Sequence, residues 1–135
     1  MKASSESFPK GVRLLKHADF DRVYRTGQRH FSSNMSVFFL RRIQKPEQAA
    51  EAGPRIGLTV GRALGGAVVR NRIRRRMRAA VRKQLAKLQQ PVDVVFNPRK
   101  SAAEIDFGAL TSEIGQAFAV IAAGRNHSSG KTGKP

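Results

Sequence analysis

A run of cations without any acid occupies the middle of the chain. Like charges four residues apart destabilise a helix by about 0.2–0.5 kcal/mol per pair, and a solvated helix face normally intersperses acids among its bases. Arginine offers a planar fork of donors that fits phosphate oxygens and base edges. The run therefore predicts a helix face that binds a polyanion, with a plain solvated face or an import signal as the alternative. Its members lie between residues 70 and 87: Arg70, Arg72, Arg74, Arg75, Arg76, Arg78, Arg82, Lys83 and Lys87.

Two features beside the cations could add to such a surface. Asn71 is a poor residue inside a helix unless its side chain makes a contact, and it could hydrogen-bond a base or a sugar hydroxyl. Gly65 and Gly66 precede the predicted helix, where backbone N–H groups can hold a phosphate. A simple β-to-α turn explains the glycines equally well. The loop is not a Walker loop, because no Gly-Lys-Ser/Thr follows it.

Side chains able to do acid–base or metal chemistry are few and scattered. Asp19 and Asp21 stand two positions apart on a predicted helix, so their carboxylates do not converge. The chain has no cysteine, which excludes thiolate metal sites and a cysteine nucleophile. We therefore expect no catalytic and no metal-binding residue. The other candidates show no ligand or catalytic spacing: Asp93, Glu104, Asp106, His17, His30 and His127.

Composition points to one small nucleic-acid-binding domain. The 135 residues carry 26 Lys and Arg against 9 Asp and Glu, a formal charge of +17, which favours phosphate binding through counterion release. Hydrophobic residues make up 40% of the chain, enough for a modest core. The longest fully apolar stretch, residues 117–123, is too short to cross a bilayer. These values predict a soluble intracellular protein.

Hydrophobic periodicity predicts the elements that must position these residues. The order is α-β-β-α-β-α, an α+β fold in which helices cover a small mixed sheet. We expect one domain over residues 13–123, between a flexible arm at 1–12 and a flexible basic tail at 124–135. The predicted elements are a helix from Lys16 to Gly27, strands at 34–42 and 55–61, a long helix from Ala67 to about residue 88, a strand at 92–96 with a turn at 97–98, and a helix at 106–123.

The strands also suggest pairing and faces. Strands 34–42 and 55–61 are expected to be neighbours. The passage from 55 to 96 has the form of a crossover between parallel strands, which is ordinarily right-handed. Because side chains alternate along a strand, Phe38 and Phe39 must face opposite sides, so only one of them can enter a given core layer.

Residues 55–78, RIGLTVGRALGGAVVRNRIRRRMR, resemble the signature of the protein subunit of bacterial ribonuclease P. The core of that signature is R-x-G-L-x-V followed by G-x-A-V-x-R-N-R-x-x-R. The earlier DFDRVYRTG, residues 19–27, is similar to the N-terminal helix of the same family. The resemblance spans about residues 13–123.

The resemblance implies an accessory subunit of an endoribonuclease in the bacterial cytoplasm. A catalytic RNA would remove the 5′ leader of precursor tRNA with Mg²⁺ held mainly by that RNA, without a membrane or another protein. It also implies a fold like the second domain of ribosomal small-subunit protein five, with a left-handed crossover.

The resemblance also implies two sets of site residues. The catalytic RNA would be bound by Arg70, Asn71, Arg72, Arg74, Arg75 and Arg78, and the leader by a cleft of Phe20, Tyr24, Phe38, Thr59 and Arg62. The residues alone add Gly65 and Gly66 as a candidate phosphate-binding loop. From the residues alone, Phe20, Tyr24 and Phe38 are more readily explained as core. A structural RNA-binding protein of the ribosomal type is the alternative function, and a protein-only endonuclease using His17 or His30 is a third.

Overall fold

A computed structural model describes residues 12–14, 16–42 and 53–124. Within these residues the helices and strands are α1 His17–Thr26, β1 Gln28–Phe31, β2 Met35–Arg41, β3 Arg55–Leu58, α2 Ala67–Gln84, β4 Val92–Pro98 and α3 Phe107–Ala122. Short 3-10 helices occupy Arg62–Leu64, Leu85–Lys87 and Lys100–Ala103. Apart from Val12 and Gly124, the predicted arm and tail lie outside the described residues.

The four strands form one mixed sheet in the order β1-β2-β4-β3. β4 pairs antiparallel with β2 and parallel with β3, and β1 pairs antiparallel with β2. The predicted α+β class is confirmed, as is the parallel pair that α2 connects. The predicted pairing of the strands at 34–42 and 55–61 is wrong, because β4 lies between them. Its nearly continuous apolar sequence, buried on both faces, is typical of a central strand.

Three strand boundaries also differ from prediction. β1 was not predicted, since QRHF is a polar edge strand with mostly exposed side chains. The element order is therefore α-β-β-β-α-β-α. β3 ends at Leu58 rather than at 61, and β4 continues through Asn97 and Pro98, which were predicted as a turn. Pro98 ends the strand, a position where its missing N–H is tolerated. The hand of the crossover stays a prediction.

Helices cover both faces of the sheet. On one face α2 and α3 enclose the main core, which includes Phe39, Phe96, Ile73 and Met77. On the other face α1 packs a smaller cluster of Leu14, Val23 and Val95. Phe38 belongs to this second cluster and Phe39 to the main core, so the predicted division of the two side chains is confirmed.

Local sequence explains the helix ends. α1 ends before Gly27, where a Cβ atom would lie 2.5 Å from the Val23 carbonyl oxygen and 2.6 Å from that of Phe39. Only glycine fits this close approach. Asp106 caps α3, its Oδ2 accepting a hydrogen bond from the Ala109 N–H at 3.1 Å, as expected of a residue favoured at helix N-termini.

Among the described residues, none of the helices combines the length and apolar character that a bilayer crossing needs.

Candidate nucleic-acid interface

An aromatic pair lies where α1 crosses the sheet. The rings of Tyr24 on α1 and Phe38 on β2 meet edge to face, with centroids 5.0 Å apart and an interplanar angle of 78°. The Tyr24 hydroxyl donates to Asn97 Oδ1 at 2.9 Å and lies 2.8 Å from Thr59 Oγ1. These bonds fix the half-buried tyrosine ring against the ends of β3 and β4. We call this surface, with Phe20, the aromatic cleft.

Phe20 completes the aromatic cleft one helical turn before Tyr24. Its ring lies directly over Gly57 of β3, where a Cβ atom would approach the ring to 2.6 Å. The missing side chain at residue 57 therefore makes room for the phenylalanine. Arg62 is exposed in the 3-10 helix that follows Thr59 by three residues. The structure thus brings Phe20, Tyr24, Phe38 and Thr59 together.

Asn97 is a site residue that the sequence does not indicate. The Asn97-Pro98 pair predicts a turn, but Asn97 pairs with Ser36 in the sheet and its side chain accepts from Tyr24. Its position in the sequence could have indicated this role. Asn97 comes directly after the predicted strand at 92–96 and two residues after Val95, so in a longer strand both side chains lie on the same face of the sheet.

The exposed side of α2 carries a single line of polar side chains. Asn71, Arg75, Arg78 and Arg82 recur at intervals of four, three and four residues, so they lie on one face of the helix, and all four are exposed. Arg75, Arg78 and Arg82 make no hydrogen bond or ion pair with any residue that the structure describes. We call these four residues the outer stripe. Arg82 belongs to the predicted cationic run but not to the set of RNA-binding residues that the resemblance implies.

Two arginines of α2 are instead occupied within the fold. Arg72 donates from Nε to the Ala103 carbonyl oxygen at 2.8 Å. Arg76 donates to the carbonyl oxygens of Ala102 and Ile105, and its guanidinium carbon lies 5.9 Å from the ring centroid of Phe107. Both therefore tie α2 to the segment that leads into α3, a role that charge patterning could not reveal.

The start of α2 is held by its own arginines. Arg70 donates from Nε to the Gly65 carbonyl oxygen at 3.0 Å, and Arg74 donates to Asn71 Oδ1 at 2.7 Å. Gly65 has a φ of +138°, which favours glycine at this position. Gly66 provides no side-chain cap, and within the described part of the chain no other side chain accepts from the first N–H groups of α2.

The buried carboxylates are bound by arginines rather than poised for chemistry. Asp93, fully buried on β4, accepts from Arg42 at 2.8 Å and from Arg55 at 2.8 and 2.9 Å. Asp19 pairs with Arg22 at 2.5 Å, and the same guanidinium lies 3.8 Å from Asp93. Within the described ranges no group of three or more metal-ligating side chains could hold a cation. These residues do not fit a Mg²⁺ ion.

Fold and surface together define a small, strongly basic α+β protein with an aromatic cleft on one face of its sheet and a cationic helix on the other. A family model described as Ribonuclease P matches residues 8–122. The chain belongs to the ribonuclease P protein family, which confirms the resemblance seen in residues 55–78. Membership makes it the protein subunit of a ribonucleoprotein of tRNA processing, with the ribonuclease P RNA as its partner.

Solved structures share the fold. The RNase P protein of Staphylococcus aureus is 23% identical, with 82% of this chain and 94% of that chain covered and a TM-score of 0.65. The RNase P protein of Thermotoga maritima, in complex with 1-(4-fluorophenyl)-2-thiourea, is 24% identical over 78% of this chain and 96% of that one, with a TM-score of 0.66. No curated protein sequence matches the chain.

Proposed function

We propose that this subunit binds the catalytic RNA through α2 and the 5′ leader of precursor tRNA through the aromatic cleft. It thereby assists the Mg²⁺-dependent endonucleolytic removal of the leader in the bacterial cytoplasm, with no other protein needed. The observation that carries the proposal is the placement of the two surfaces on opposite faces of one sheet. One small protein can then contact two RNA molecules at once.

The aromatic cleft suits a single strand of variable sequence. Stacking on an aromatic side chain tolerates every base and is worth about 1–3 kcal/mol per base by alanine substitution. Tyr24 is held by Thr59 and Asn97, so its ring is already placed before RNA arrives. Phe38 and Phe20 offer further apolar surface, and the exposed Arg62 adds a cation for the backbone.

The outer stripe suits the backbone of a folded RNA. Arg75, Arg78 and Arg82 have no partner among the described residues, so phosphate contacts replace only their hydration and release condensed counterions. Arg70, Arg72 and Arg74 flank the stripe and keep further N–H donors beyond the bonds they make. The Gly65–Gly66 loop places the uncapped start of α2 beside them, where a phosphate can accept from backbone N–H groups.

The division of labour assigns chemistry to the RNA. The catalytic RNA would hold the Mg²⁺ ions, since the buried carboxylates of this chain are bound by arginines. Neutralising phosphate repulsion and anchoring the leader would lower the concentrations of Mg²⁺ and precursor tRNA that the RNA requires.

Reconstitution tests this function. The purified protein alone should leave precursor tRNA intact, whereas its addition to the cognate RNA should lower the required Mg²⁺ and substrate concentrations. Cleavage by the isolated protein, lost in His17→Ala or His30→Ala, would instead indicate a protein-only endonuclease. RNA binding without stimulated leader removal would indicate a structural RNA-binding protein of the ribosomal type.

A further inference from the structure

An exposed phenylalanine stands at the outer edge of the sheet. Phe31, the last residue of β1, has 53% of its surface exposed, and the only other large hydrophobic residue so exposed among the described residues is Val68. The guanidinium carbon of Arg29 lies 5.7 Å from the Phe31 ring centroid. A large apolar ring in water with a cation beside it is a surface on which a nucleobase can stack.

Strand register places this ring on the same side of the sheet as the aromatic cleft. Arg29 is opposite Phe38, and Phe31 is opposite Ser36. Directly opposed residues share a face, and Ser36 and Phe38 are two positions apart on β2. Both β1 side chains therefore face the side where Phe38 meets Tyr24, rather than the main core.

A second cation lies at the same edge. Arg99 donates to the Ser32 carbonyl oxygen at 2.6 Å and to Ser36 Oγ at 3.5 Å, so its guanidinium is held at the turn between β1 and β2. The carboxylate that touches this turn is Glu113 of α3, and it already accepts hydrogen bonds from Ser32 and Asn34. The two guanidinium groups of Arg29 and Arg99 outnumber this one carboxylate, so the net charge of these three groups is positive.

We propose that Phe31, with Arg29 and Arg99, forms a second stacking site for single-stranded RNA that continues the aromatic cleft to the edge of the sheet. The occupant is the same leader strand, so the inference rests on the proposed function. Phe31 and the Tyr24–Asn97 contact are separated by two strand spacings, about 10 Å at 4.7–4.9 Å each. About three stacked nucleotides at about 3.4 Å each cover this span.

Continuity and charge select this occupant. The Phe31 site shares a sheet face with the aromatic cleft, Phe31 is exposed, and among the described elements α1 packs mainly on β2 and β4. The guanidinium of Arg29 beside the ring and that of Arg99 at the adjoining turn suit the phosphates of a nucleic acid. The leader is single-stranded, so bases about three nucleotides apart can reach the two sites without deforming a duplex.

The test uses the reconstituted holoenzyme and precursor tRNAs that carry a single abasic nucleotide at successive leader positions. Phe31→Ala should weaken binding of the unmodified precursor at least about 5-fold, the lower end of the range for one stacked base. At one leader position, the abasic nucleotide should weaken precursor binding by the wild-type holoenzyme but cause no further loss of binding in Phe31→Ala. Phe31→Tyr, which keeps a ring, should restore wild-type binding.

Controls separate this inference from the proposed function. Gln116→Ala, an exposed change on α3 at the opposite face, should leave precursor binding unchanged. Tyr24→Ala could weaken the binding of precursor but not of mature tRNA while Phe31→Ala changes the binding of neither. The proposal of a second stacking site is then wrong, and the proposal that the aromatic cleft binds the leader is retained. If neither variant distinguishes the two substrates, the leader function itself fails. Equal losses for both substrates in Phe31→Ala alone, with weaker holoenzyme assembly, would place Phe31 against the catalytic RNA and overturn the inference.

Discussion

Arg72 on α2 donates a hydrogen bond from Nε to the carbonyl oxygen of Ala103, at 2.8 Å. This bond, with those of Arg76 one turn later, secures α2 to the segment that leads into α3. The cations of α2 therefore divide into two kinds that are indistinguishable by charge alone. Arg72 and Arg76 bind backbone carbonyls of the protein, whereas the outer stripe presents its guanidinium groups to solvent.

Arg76→Ala should destabilise the fold while Arg75→Ala should not. Arg76 donates to two carbonyl oxygens and lies beside Phe107, and hydrogen bonds from a charged group are worth about 1.5–3 kcal/mol. We expect a loss of about 1–3 kcal/mol, because Arg76 is only half-buried. Urea unfolding measures it. Similar urea midpoints for Arg76→Ala and Arg75→Ala would contradict the division of the α2 arginines into those that bind the protein and those that face solvent.

Loss of an outer-stripe arginine should flatten the salt dependence of assembly with the catalytic RNA. Each phosphate contact contributes about 0.9 to the slope of log K against log salt on a duplex, so Arg75→Ala, Arg78→Ala and Arg82→Ala should each reduce it by roughly that amount. Titrations at several salt concentrations give the slope. Arg75→Lys retains the charge and should keep most of the salt-dependence slope. An unchanged slope in all three alanine variants would exclude phosphate contact.

Tyr24→Ala and Tyr24→Phe should affect different properties. Removing the ring should weaken the binding of precursor tRNA by about 5- to 150-fold, the equivalent of about 1–3 kcal/mol for one stacked base. The binding of mature tRNA should be unchanged. Removing only the hydroxyl breaks the bonds to Thr59 and Asn97 and should reduce the free energy of unfolding by about 0.5–1.5 kcal/mol. Competition binding of precursor and mature tRNA measures the effect of Tyr24→Ala. Equal losses for both tRNAs would show that the ring is core.

Asp93→Asn should be among the most destabilising changes in the sheet. The carboxylate is fully buried and compensates the guanidinium groups of Arg42 and Arg55, and breaking a buried pair typically costs about 3–5 kcal/mol. We expect about 2–4 kcal/mol, because both arginines keep some contact with water. Thermal unfolding measures the loss. Asp21→Asn, at an exposed carboxylate 3.6 Å from His17, is the control and should change little.

Gly57→Ala should disturb the aromatic cleft through Phe20. The new methyl group would lie 2.6 Å from the ring, so the ring must move away from β3, and overpacking of this kind costs about 1–3 kcal/mol. Precursor tRNA binding should fall while assembly with the catalytic RNA is retained. Gly53→Ala, where a Cβ atom meets nothing within 4 Å, is the matched control. Wild-type precursor binding by Gly57→Ala would show that Phe20 is not needed there.

Much of the fold follows from local patterns. The long helix predicted from Ala67 to about residue 88 corresponds to α2 and the 3-10 helix that follows it. Gly27 and Asp106 marked helix ends correctly. Strand partners were less accessible, because alternation at 34–42 and 55–61 specifies faces but not neighbours. The short β1 has a single large apolar residue, Phe31, and no alternating pattern, so the sequence did not indicate a strand that forms by pairing with β2.

The site residues stay predictions, and their partners within the fold could not be derived from the sequence. Tyr24 and Phe38 do meet, as the family resemblance implied, although periodicity alone favoured core. Asn97 and the arginines at 72 and 76 depend on elements distant in sequence, and no local spacing encodes such contacts. Only the folded structure distinguishes a guanidinium that binds a backbone carbonyl from one that faces solvent.

The central position of β4 governs when the protein can fold during synthesis. β2 and β3 each pair with β4, so the sheet cannot form until residue 98 has left the ribosome. Until then α1 lacks Val95, on which it packs, and the nine cations of residues 70–87 emerge from the ribosome before the strand that completes the sheet. Long-range pairing of this kind slows folding. We expect the nascent chain to remain an unfolded polycation beside ribosomal RNA until β4 has emerged.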